Sequence, residues 1–382
     1  MGSGFVSDKN KTKAVQYKLS GHNSSALSSE TVPAGQTECR ENYGQMPHAM
    51  LKNTAQAEKY RAKPLTSQQT QTTMNTEANR KTEWVVGIGE ALWDILPEGR
   101  KIGGAPANFA YHMSQFGLRS CAISAVGDDE AGRELRNQLR EKGVGHMLET
   151  VPFPTGTVEV TLDGAGIPSY EIRQGVAWDN IPFTPQIEEL ARHTRAACFG
   201  SLAQRSPVSH RTIGRFLETM PDGEGQYKVF DINLRQHFYT QQVVEESLRK
   251  CNILKINDEE LAVVGSMFGL EWMQPGEQCR TLLDRYGLRI VILTCGAAGS
   301  SVFAPDTRSY IPTPRVEVAD TVGAGDSFTA SFLAALLSGL GIGEAHRLAV
   351  DVAAHVCSQH GAMPRLPERF TARLRNDGPA IR

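Results

Sequence analysis

The 382-residue chain lacks the features that mark membrane, secreted or repeat proteins. No uninterrupted apolar stretch approaches the roughly 18 residues that a membrane-spanning helix requires. The N-terminus has no apolar core of a secretory signal, and no internal repeat is visible. We therefore expect a cytoplasmic protein that has no membrane partner and is not built as a repeat array.

An excess of one charge is also missing. The chain has 40 Lys and Arg residues against 42 Asp and Glu residues, which gives a formal net charge of -2. Such a balance provides no general attraction for nucleic acid or for an anionic membrane. Nucleic acid is therefore not expected as a partner, and any anionic ligand has to be held by a local site.

Cysteine is too scattered to build a disulfide framework or a zinc site. The seven cysteines are odd in number, and none belongs to a Cys-x-x-Cys arrangement. We expect most of them to be reduced thiols in the core.

Branched apolar residues are scarce in the first 80 positions, which are rich in Ser, Thr, Gln, Asn and Lys. This composition cannot bury enough surface to offset the entropy of ordering. We predict that residues 1–80 form a disordered extension, with a targeting segment or an upstream start site as alternatives. The ordered domain is predicted over 83–370, followed by a C-terminal tail over 371–382.

From residue 83 onward, short apolar runs alternate with helical patterns. This alternation predicts an α/β fold with a mostly parallel sheet covered by helices on both faces. A dinucleotide fingerprint beginning at Gly87 is incomplete, because Leu92 stands where a third glycine is needed. The predicted strands are 83–90, 121–124, 196–199, 228–231, 251–255 and 290–294.

One interval, residues 155–181, breaks the alternation. Two strands of alternating pattern, 157–162 and 169–173, flank a Gly-Ala-Gly-Ile-Pro turn, and no helix is predicted there. We expect a small antiparallel flap over the edge of the sheet where the ligand binds.

The stretch 320–326, Asp-Thr-Val-Gly-Ala-Gly-Asp, carries the strongest chemical signal. Gly323, Ala324 and Gly325 let the backbone approach a ligand closely. Asp326 follows at the start of a predicted helix, so N–H groups, the helix dipole and a candidate base converge. A phosphoryl-transfer site needs these groups, although a loop with a helix cap would also explain the motif taken alone.

A second glycine motif precedes another amphipathic helix. Gly103 and Gly104 permit close approach of the backbone to a ligand, and Asn108 offers a donor and an acceptor one turn into the helix. Asp94, just past the first strand, adds an acceptor for paired hydroxyls, with a turn or cap aspartate as the alternative. This set suits a polyhydroxylated substrate.

The two motifs occur in order, more than 200 residues apart, and in this the chain resembles the ribokinase-type (PfkB family) carbohydrate kinases. The resemblance covers about residues 83–370, and the sequence at 89–94, 176–179 and 231–235 is similar to that of the fructokinase branch. It implies a ribokinase-like three-layer sandwich with the flap as a lid. It also implies ATP-dependent phosphorylation of a sugar hydroxyl, with fructose as the first candidate.

Other kinases of the same fold remain alternatives, namely those for 2-keto-3-deoxygluconate, ribose and nucleosides. Leu92 argues modestly against ribose, because ribokinase-like sites place a polar side chain there. A kinase-fold protein retained for binding without catalysis is a further alternative. The intact candidate base and the intact glycines argue against it.

The resemblance also implies roles for individual residues. Asp326 is the general base, and the N–H groups of Gly323, Ala324 and Gly325 form the anion hole. Arg173 on the flap closes over the sugar or neutralises phosphate, although an exposed strand arginine is as often simply solvated. The residues implied to bind the sugar are Asp94, Gly104, Asn108 and Arg173.

On the nucleotide side, the resemblance places Asn257 and Glu260 near the triphosphate. Glu260 is expected to organise Mg²⁺ largely through water, because this ion keeps much of its hydration. Thr294, Gly296 and Gly299 resemble a nucleotide-binding turn, with a plain turn between strands as the alternative.

Asp320 lies six residues before the candidate base and cannot share its role. In the family this aspartate binds an activating monovalent cation or supports the anion-hole loop, so K⁺ is a candidate cofactor beside ATP and Mg²⁺. Family flaps also form dimer interfaces, and a homodimer through the lid is therefore a further candidate.

Overall fold

The computed structural model describes residues 83–96, 99–162 and 168–375. The predicted N-terminal extension, 1–80, lies outside these ranges. No helix within them is long and apolar enough to cross a membrane.

Strands and helices alternate along much of the described chain. The strands are β1 Trp84–Ile88, β2 Leu92–Leu96, β3 Gly99–Gly103, β4 Ser120–Gly127, β5 Gly145–Val151, β6 Gly156–Leu162, β7 Pro168–Ile172, β8 Thr194–Phe199, β9 Tyr227–Asp231, β10 Ile253–Asn257, β11 Ile290–Thr294, β12 Ser300–Ala304 and β13 Thr307–Ile311. The α-helices are α1 Ala105–Gln115, α2 Glu130–Glu141, α3 Pro185–Arg192, α4 Pro207–Thr219, α5 Gln241–Lys250, α6 Asp258–Phe268, α7 Pro275–Tyr286, α8 Ala324–Leu337, α9 Ile342–Cys357 and α10 Glu368–Arg375.

The main sheet has the strand order β13-β12-β11-β10-β9-β8-β1-β4-β5. Its strands from β11 to β5 in this order run parallel, while β12 and β13 pair antiparallel at one edge. All six strands predicted from apolar runs are present. The sheet also contains β5, β12 and β13, which the sequence patterns did not predict.

Both faces of the main sheet are buried, which explains why its strands read as continuous apolar runs. Val86 and Leu254 face a core formed with helices α3 to α7. Their neighbours Val85 and Ile253 face a second core formed with α1, α8, α9 and α10. The predicted sandwich of helices, sheet and helices is therefore confirmed.

The lid is a second sheet with the strand order β3-β2-β6-β7. Strands β6 and β7 pair antiparallel as predicted, but β2 joins β6 in parallel, so the flap has four strands rather than two. The predicted turn, 163–167, lies outside the described residues. Contrary to the prediction of no helix up to residue 181, Ala177–Asn180 forms a 3₁₀ turn.

The C-terminal boundary predicted at residue 370 falls within helix α10. Helix α10 continues to Arg375, because Phe370 is buried in the second core and Leu374 packs against it. Two apolar side chains four residues apart lie on one face of a helix, so this segment is held by packing.

Candidate active site

The carboxyl ends of the parallel strands bring several polar residues to one edge of the main sheet. Strand β9 ends at Asp231, β10 at Asn257 and β11 at Thr294. Asn257 and Thr294 lie opposite each other in the β10–β11 register. In open α/β sheets, ligands bind in the crevice outside these strand ends.

The candidate base, Asp326, contacts the candidate sugar-binding residue Asn108 directly. Asp326 lies in the first turn of α8, and Asn108 lies in α1, which packs beside α8. Asn108 Nδ2 donates to Asp326 Oδ2 at 2.7 Å across 218 residues of sequence. The fold thus joins the two glycine motifs, and Asp326 Oδ1 is the carboxylate oxygen not engaged in this contact.

The environment of Asp326 makes it a stronger proton acceptor than an ordinary aspartate. Burial raises the pKa of Asp326 to about 6, and the nearby Asp231 carboxylate adds to the rise. The hydrogen bond from Asn108 and the charges of Lys255 and Arg235 act in the opposite direction. A pKa of this size leaves the group ionised at neutral pH and makes it a more effective base.

If Asp326 is the general base, its pKa sets an acidic limit on turnover. A carboxyl group accepts a proton only when it is ionised, so we then expect kcat/KM to fall as the pH drops through about 6. Initial rates between pH 4.5 and 8 measure the limb. The Asp94→Asn variant is the control, because the pKa of Asp94 is also raised to about 6. If the acidic fall of kcat/KM vanished in Asp94→Asn, or if it occurred near pH 4, it would not arise from Asp326.

The loop before Asp326 can be built only with glycine at position 323. Gly323 has φ +78°, and a Cβ there would lie 2.7 Å from Ala362 Cα and O. Helix α8 begins at the next residue, so the N–H groups of its first turn have no acceptor within the helix. Ala324 N–H makes a 3.3 Å bond to Thr321 O. The motif is therefore a helix N-terminus, and its geometry suits an anion hole.

Asp320 braces this loop from behind. One carboxylate oxygen accepts Val322 N–H at 3.0 Å, and the other accepts Gly361 N–H at 3.0 Å. Asp320 N–H itself donates to Cys357 O. Of the two roles that the family resemblance implies, these contacts match support of the loop.

A buried ion pair under the loop was missed by sequence reasoning. Lys255 Nζ donates to Asp231 Oδ1 at 2.9 Å, and Thr329 Oγ1 donates to Asp231 Oδ2 at 2.9 Å. Burial acts most strongly and would lower the pKa of Lys255, but the charges of Asp231, Glu260 and Asp326 and the hydrogen bond to Asp231 together raise it. A Cβ on Gly325 would lie 3.1 Å from Lys255 Nζ. The Lys255–Asp231 ion pair therefore lies directly behind the loop that precedes Asp326.

Arg235 is a second cation that sequence reasoning did not assign. It lies in the loop after β9, where Asn233 and Gln236 have positive φ angles of 43° and 50°. Such backbone in residues other than glycine is often associated with functional sites. The Arg235 charge lowers the pKa values of Glu90, Asp94 and Asp326, in each case against a larger opposing effect of burial.

Asp94 lies within strand β2, opposite Lys101 of β3, and not in a turn or a cap. Burial raises its pKa to about 6, with Asp320 adding to the rise and Lys101 and Arg235 opposing it. A Cβ on Gly103 would collide with Asp94 Oδ2. One of the paired glycines is therefore needed to accommodate the Asp94 carboxylate.

The second glycine of this pair has a different steric reason. Gly104 caps α1 at φ +110°, and a Cβ there would collide with Glu90 O.

The side chain of Arg173, just past β7, is exposed, while its carbonyl accepts a hydrogen bond from Arg205 Nη2. A role for Arg173 in sugar binding stays a prediction.

Asn257 and Glu260 form a capping box at the start of α6. Asn257 Oδ1 accepts Glu260 N–H at 2.7 Å, and Glu260 Oε2 accepts Asn257 N–H at 3.0 Å. Glu260 Oε1 also accepts Leu234 N–H at 3.0 Å. A carboxylate offers about four lone-pair sites, so this buried group can still accept from water. That donor set fits an outer-sphere contact to Mg²⁺.

No ready-made cluster of metal ligands accompanies this carboxylate. Within residues 83–96, 99–162 and 168–375, no group of three or more His, Cys, Asp or Glu side chains is placed to hold a metal ion.

The turn after Thr294 joins two antiparallel strands, β11 and β12, and so matches the alternative of a plain turn between strands. Gly296 and Gly299 have φ angles of +50° and +132°. A Cβ on Gly299 would lie 2.6 Å from Ile311 O, so this glycine has a steric reason within the fold. Nucleotide binding by the turn stays a prediction.

Comparison with known families and proteins gives a consistent result. A family described as pfkB family carbohydrate kinase matches residues 97–369. The chain is 29% identical over 266 residues to a fructokinase of Salmonella typhimurium, covering 66% of this chain and 83% of the relative. For a fructokinase of Klebsiella pneumoniae the identity is 31% over 306 residues, covering 74% and 95%. For a nucleoside kinase of Methanothermobacter thermautotrophicus it is 28% over 290 residues, covering 72% and 87%.

Solved structures confirm the ribokinase-like fold. A putative ribokinase II from E. coli superimposes with a TM-score of 0.67 at 20% identity, covering 76% of this chain and 99% of that one. An uncharacterised sugar kinase from Pyrococcus horikoshii gives 0.63 at 27%, covering 73% and 93%. A double mutant of a Vibrio cholerae O395 fructokinase, bound to fructose, ADP and potassium ion, gives 0.63 at 23%, covering 77% and 99%.

Proposed function

Because the chain belongs to the pfkB family of carbohydrate kinases, we propose that it phosphorylates a hydroxyl group of fructose at the expense of ATP. The observation that carries the proposal is the 2.7 Å contact between Asn108 and Asp326 at the N-terminus of α8. It joins a sugar-binding amide, a base of suitable pKa and a helix N-terminus in one place. The fructokinases among the relatives support fructose as the acceptor.

Asp326 acts as the base. Its Oδ2 is held by Asn108, and Oδ1 receives the proton of the sugar hydroxyl. The hydroxyl oxygen forms a bond to the γ-phosphorus while the bond from that phosphorus to the bridging oxygen of ADP breaks. The proton passes to Asp326, and the electron pair of the broken bond stays on ADP.

The first turn of α8 stabilises the charge that develops on the transferred group. Its N–H groups and the helix dipole attract the equatorial phosphoryl oxygens. Lys255 lies behind Gly325, and Asp231 neutralises most of its charge at a distance of 2.9 Å. The Lys255–Asp231 pair therefore fixes the position of the loop more than it adds net charge.

Sugar binding falls to residues beneath the lid. Asp94 of β2 and Asn108 of α1 offer acceptors to sugar hydroxyls, and Gly104 lets the chain turn from β3 into α1. Arg173 closes over the bound sugar from the end of β7. Closure of the lid excludes water, which would otherwise compete with the sugar for the phosphoryl group.

ATP lies along the carboxyl ends of β10 and β11. Asn257 and Glu260 approach the triphosphate, and the turn of Thr294, Gly296 and Gly299 holds the nucleotide. Mg²⁺ supplies charge neutralisation on the phosphates when bound, and the Glu260 carboxylate orients its water shell.

Removing the charge of Glu260 should weaken Mg²⁺ use. In Glu260→Gln we expect the apparent Mg²⁺ affinity to fall roughly tenfold, as for lost outer-sphere partners elsewhere, with a smaller change in the KM for sugar. Titration of turnover with Mg²⁺ at fixed ATP measures this. Glu259→Gln is the matched control, because Glu259 is the exposed neighbour in the same helical turn. If turnover depended on Mg²⁺ concentration in the same way in the two variants, Glu260 would have no role at the metal site.

The acceptor is tested by a coupled ATP-consumption assay with fructose, ribose, 2-keto-3-deoxygluconate, adenosine and glucose. The proposal predicts the highest kcat/KM for fructose. Preference for adenosine would favour the activity of the nucleoside kinase relative, and preference for ribose or 2-keto-3-deoxygluconate would assign another kinase of the fold. If ADP formed with none of the five acceptors, a binding protein without catalysis would be favoured.

Asp320 resembles the family's aspartate that binds an activating monovalent cation, so we propose activation by potassium. The solved fructokinase with bound potassium ion supports testing this. We expect faster turnover in KCl than in NaCl at equal ionic strength. Equal rates in the two salts would leave Asp320 with loop support alone.

A further inference from the structure

A fully buried histidine without an assigned role lies one helical turn after Asn108 in α1. None of the surface of His112 is exposed, and its Nε2 lies 2.9 Å from the carbonyl oxygen of Ala362. A carbonyl oxygen can only accept a hydrogen bond, so Nε2 carries the proton and donates. Burial lowers the pKa of His112 to about 4, so the ring is uncharged at neutral pH. The ring therefore makes a directed hydrogen bond to a segment that lies 250 residues later in the chain.

Ala362 is the residue against which the loop before Asp326 lies. A Cβ on Gly323 would lie 2.7 Å from Ala362 Cα and O, so the two backbones are in close contact. The preceding residue, Gly361, donates its N–H to Asp320 Oδ2 at 3.0 Å. Gly361 and Ala362 thus contact both ends of the loop, and their position limits the position that the loop can take.

Gln115 attaches the same segment to α1 at two further points. Its Nε2 donates to Pro364 O at 3.2 Å, and its Oε1 accepts Leu366 N–H at 2.7 Å. Gln115 and His112 are three residues apart and are therefore neighbours on the surface of the helix. The segment 362–366 is thus held to α1 by hydrogen bonds to two of its side chains.

Helix α1 therefore contacts the N-terminus of α8 in two ways. Asn108, a neighbour of His112 on the helix surface, donates directly to Asp326. His112 acts through Ala362, the residue that packs against Gly323. We propose that His112 is a positioning residue, whose Nε2–H holds Ala362 against Gly323 and thereby fixes the first N–H groups of α8. The proposal rests on the proposed function, in which these N–H groups stabilise the transferred phosphoryl group.

Loss of the His112 donor would leave the Ala362 carbonyl oxygen buried without this hydrogen bond. An unsatisfied buried carbonyl is unfavourable, so we expect the segment to move until the oxygen reaches water or another donor. The loop would then lose the surface against which Gly323 packs, and the N–H groups of α8 would no longer be fixed relative to Asp326. A misplacement of about 1 Å near the reacting atoms lowers the rate by about 100-fold.

Two substitutions separate the donor from the bulk of the ring. His112→Leu keeps a bulky side chain without a donor, and His112→Gln places an amide N–H₂ at a reach similar to that of Nε2. We expect kcat with fructose to fall about 100-fold in His112→Leu and to stay within about tenfold of the wild type in His112→Gln. The KM for fructose should change less than kcat in both variants, because Asn108 stays in place.

His112→Asn covers the case in which His112→Leu does not fold. Its amide is polar but too short to reach Ala362 O, so we expect the same loss of kcat. The control is Ser120→Ala, which removes another buried donor to α1, the Ser120 hydroxyl that donates to Ala110 O at 2.7 Å. This bond joins α1 to β4 and does not involve the segment 361–366, so the control should keep the kcat of the wild type.

Three results would overturn the proposal. One is a loss of kcat in His112→Gln as large as in His112→Leu, since the donor would then not be what matters. Another is a loss in Ser120→Ala as large as in His112→Leu, which would reflect a general disturbance of α1. The third is a rise in the KM for fructose as large as the fall in kcat, which would indicate disturbed sugar binding rather than a displaced loop.

Amide hydrogen exchange followed by mass spectrometry gives a readout that does not depend on activity. In His112→Leu we expect the segments 361–366 and 320–327 to exchange about tenfold faster than in the wild type, the effect of one lost buried hydrogen bond, with β4 unchanged. Equal exchange in the two proteins would contradict the role of His112. A wild type that phosphorylates no acceptor would refute the proposed function, while this comparison would still decide whether His112 holds the segment.

Discussion

Replacing Asp326 with Asn should lower kcat by about 10³-fold to 10⁴-fold, because the amide cannot accept the proton of the sugar hydroxyl. Asparagine has almost the same size as aspartate, and Asn108 Nδ2 can still donate to its amide oxygen. The site should therefore keep its shape and its affinity for sugar. Steady-state kinetics measure kcat, and calorimetric titration with fructose measures binding in the absence of turnover.

The matched control for this substitution is Asp306→Asn, which removes the same charge from the exposed turn between β12 and β13. Its kcat should equal that of the wild type. Turnover by Asp326→Asn within about tenfold of the wild type would assign the base to another group, since general base catalysis contributes more than this.

Replacing Gly323 with Ala should lower kcat by about 100-fold, the effect of losing one donor of an anion hole. The new Cβ would lie 2.7 Å from Ala362 Cα and O, so the loop has to move away from the segment that follows α9. Such a shift displaces the first N–H groups of α8 from the transferred phosphoryl group. Sugar binding, which we have proposed for Asp94 and Asn108, should change far less than kcat.

Gly339→Ala is a close control for this effect. Gly339 has φ +89°, similar to the +78° of Gly323, but nothing lies within 4 Å of a Cβ placed on it. Both variants carry the strain of alanine in left-handed backbone, about 1 to 2 kcal/mol of unfolding free energy. Only Gly323→Ala also moves the loop. Equal turnover in the two variants would show that the loop does not stabilise the transition state.

The fold was predictable where apolar runs are long and buried on both faces. The runs at 121–124 and 290–294 had no alternative to a central strand. Strands β5 and β13 were not predicted, because each lies at an edge of the sheet and carries polar residues. Strand β2 was missed because only three residues separate it from β1, and its two partners, β3 and β6, come from different parts of the chain.

The glycine motifs were predictable because a helix N-terminus that lies close to a ligand requires small residues just before the helix, and this leaves a local pattern in the sequence. Asp320 and Asn257 also follow local rules, those of loop bracing and helix capping. Lys255, Asp231 and Glu90 were not predicted as a set, since a single charged residue within or just after a buried strand leaves no periodic signal. What they do depends on partners that only the folded chain supplies, such as Thr329 for Asp231.

Phosphorus NMR of the complete reaction tests the account most directly. With ATP, Mg²⁺, KCl and fructose, the wild-type enzyme should convert the γ-phosphate signal of ATP into one sugar phosphate monoester for each ADP formed, and Asp326→Asn should not. Formation of inorganic phosphate in place of the monoester, or no consumption of ATP with any sugar of the panel, would contradict phosphoryl transfer to a sugar at this site.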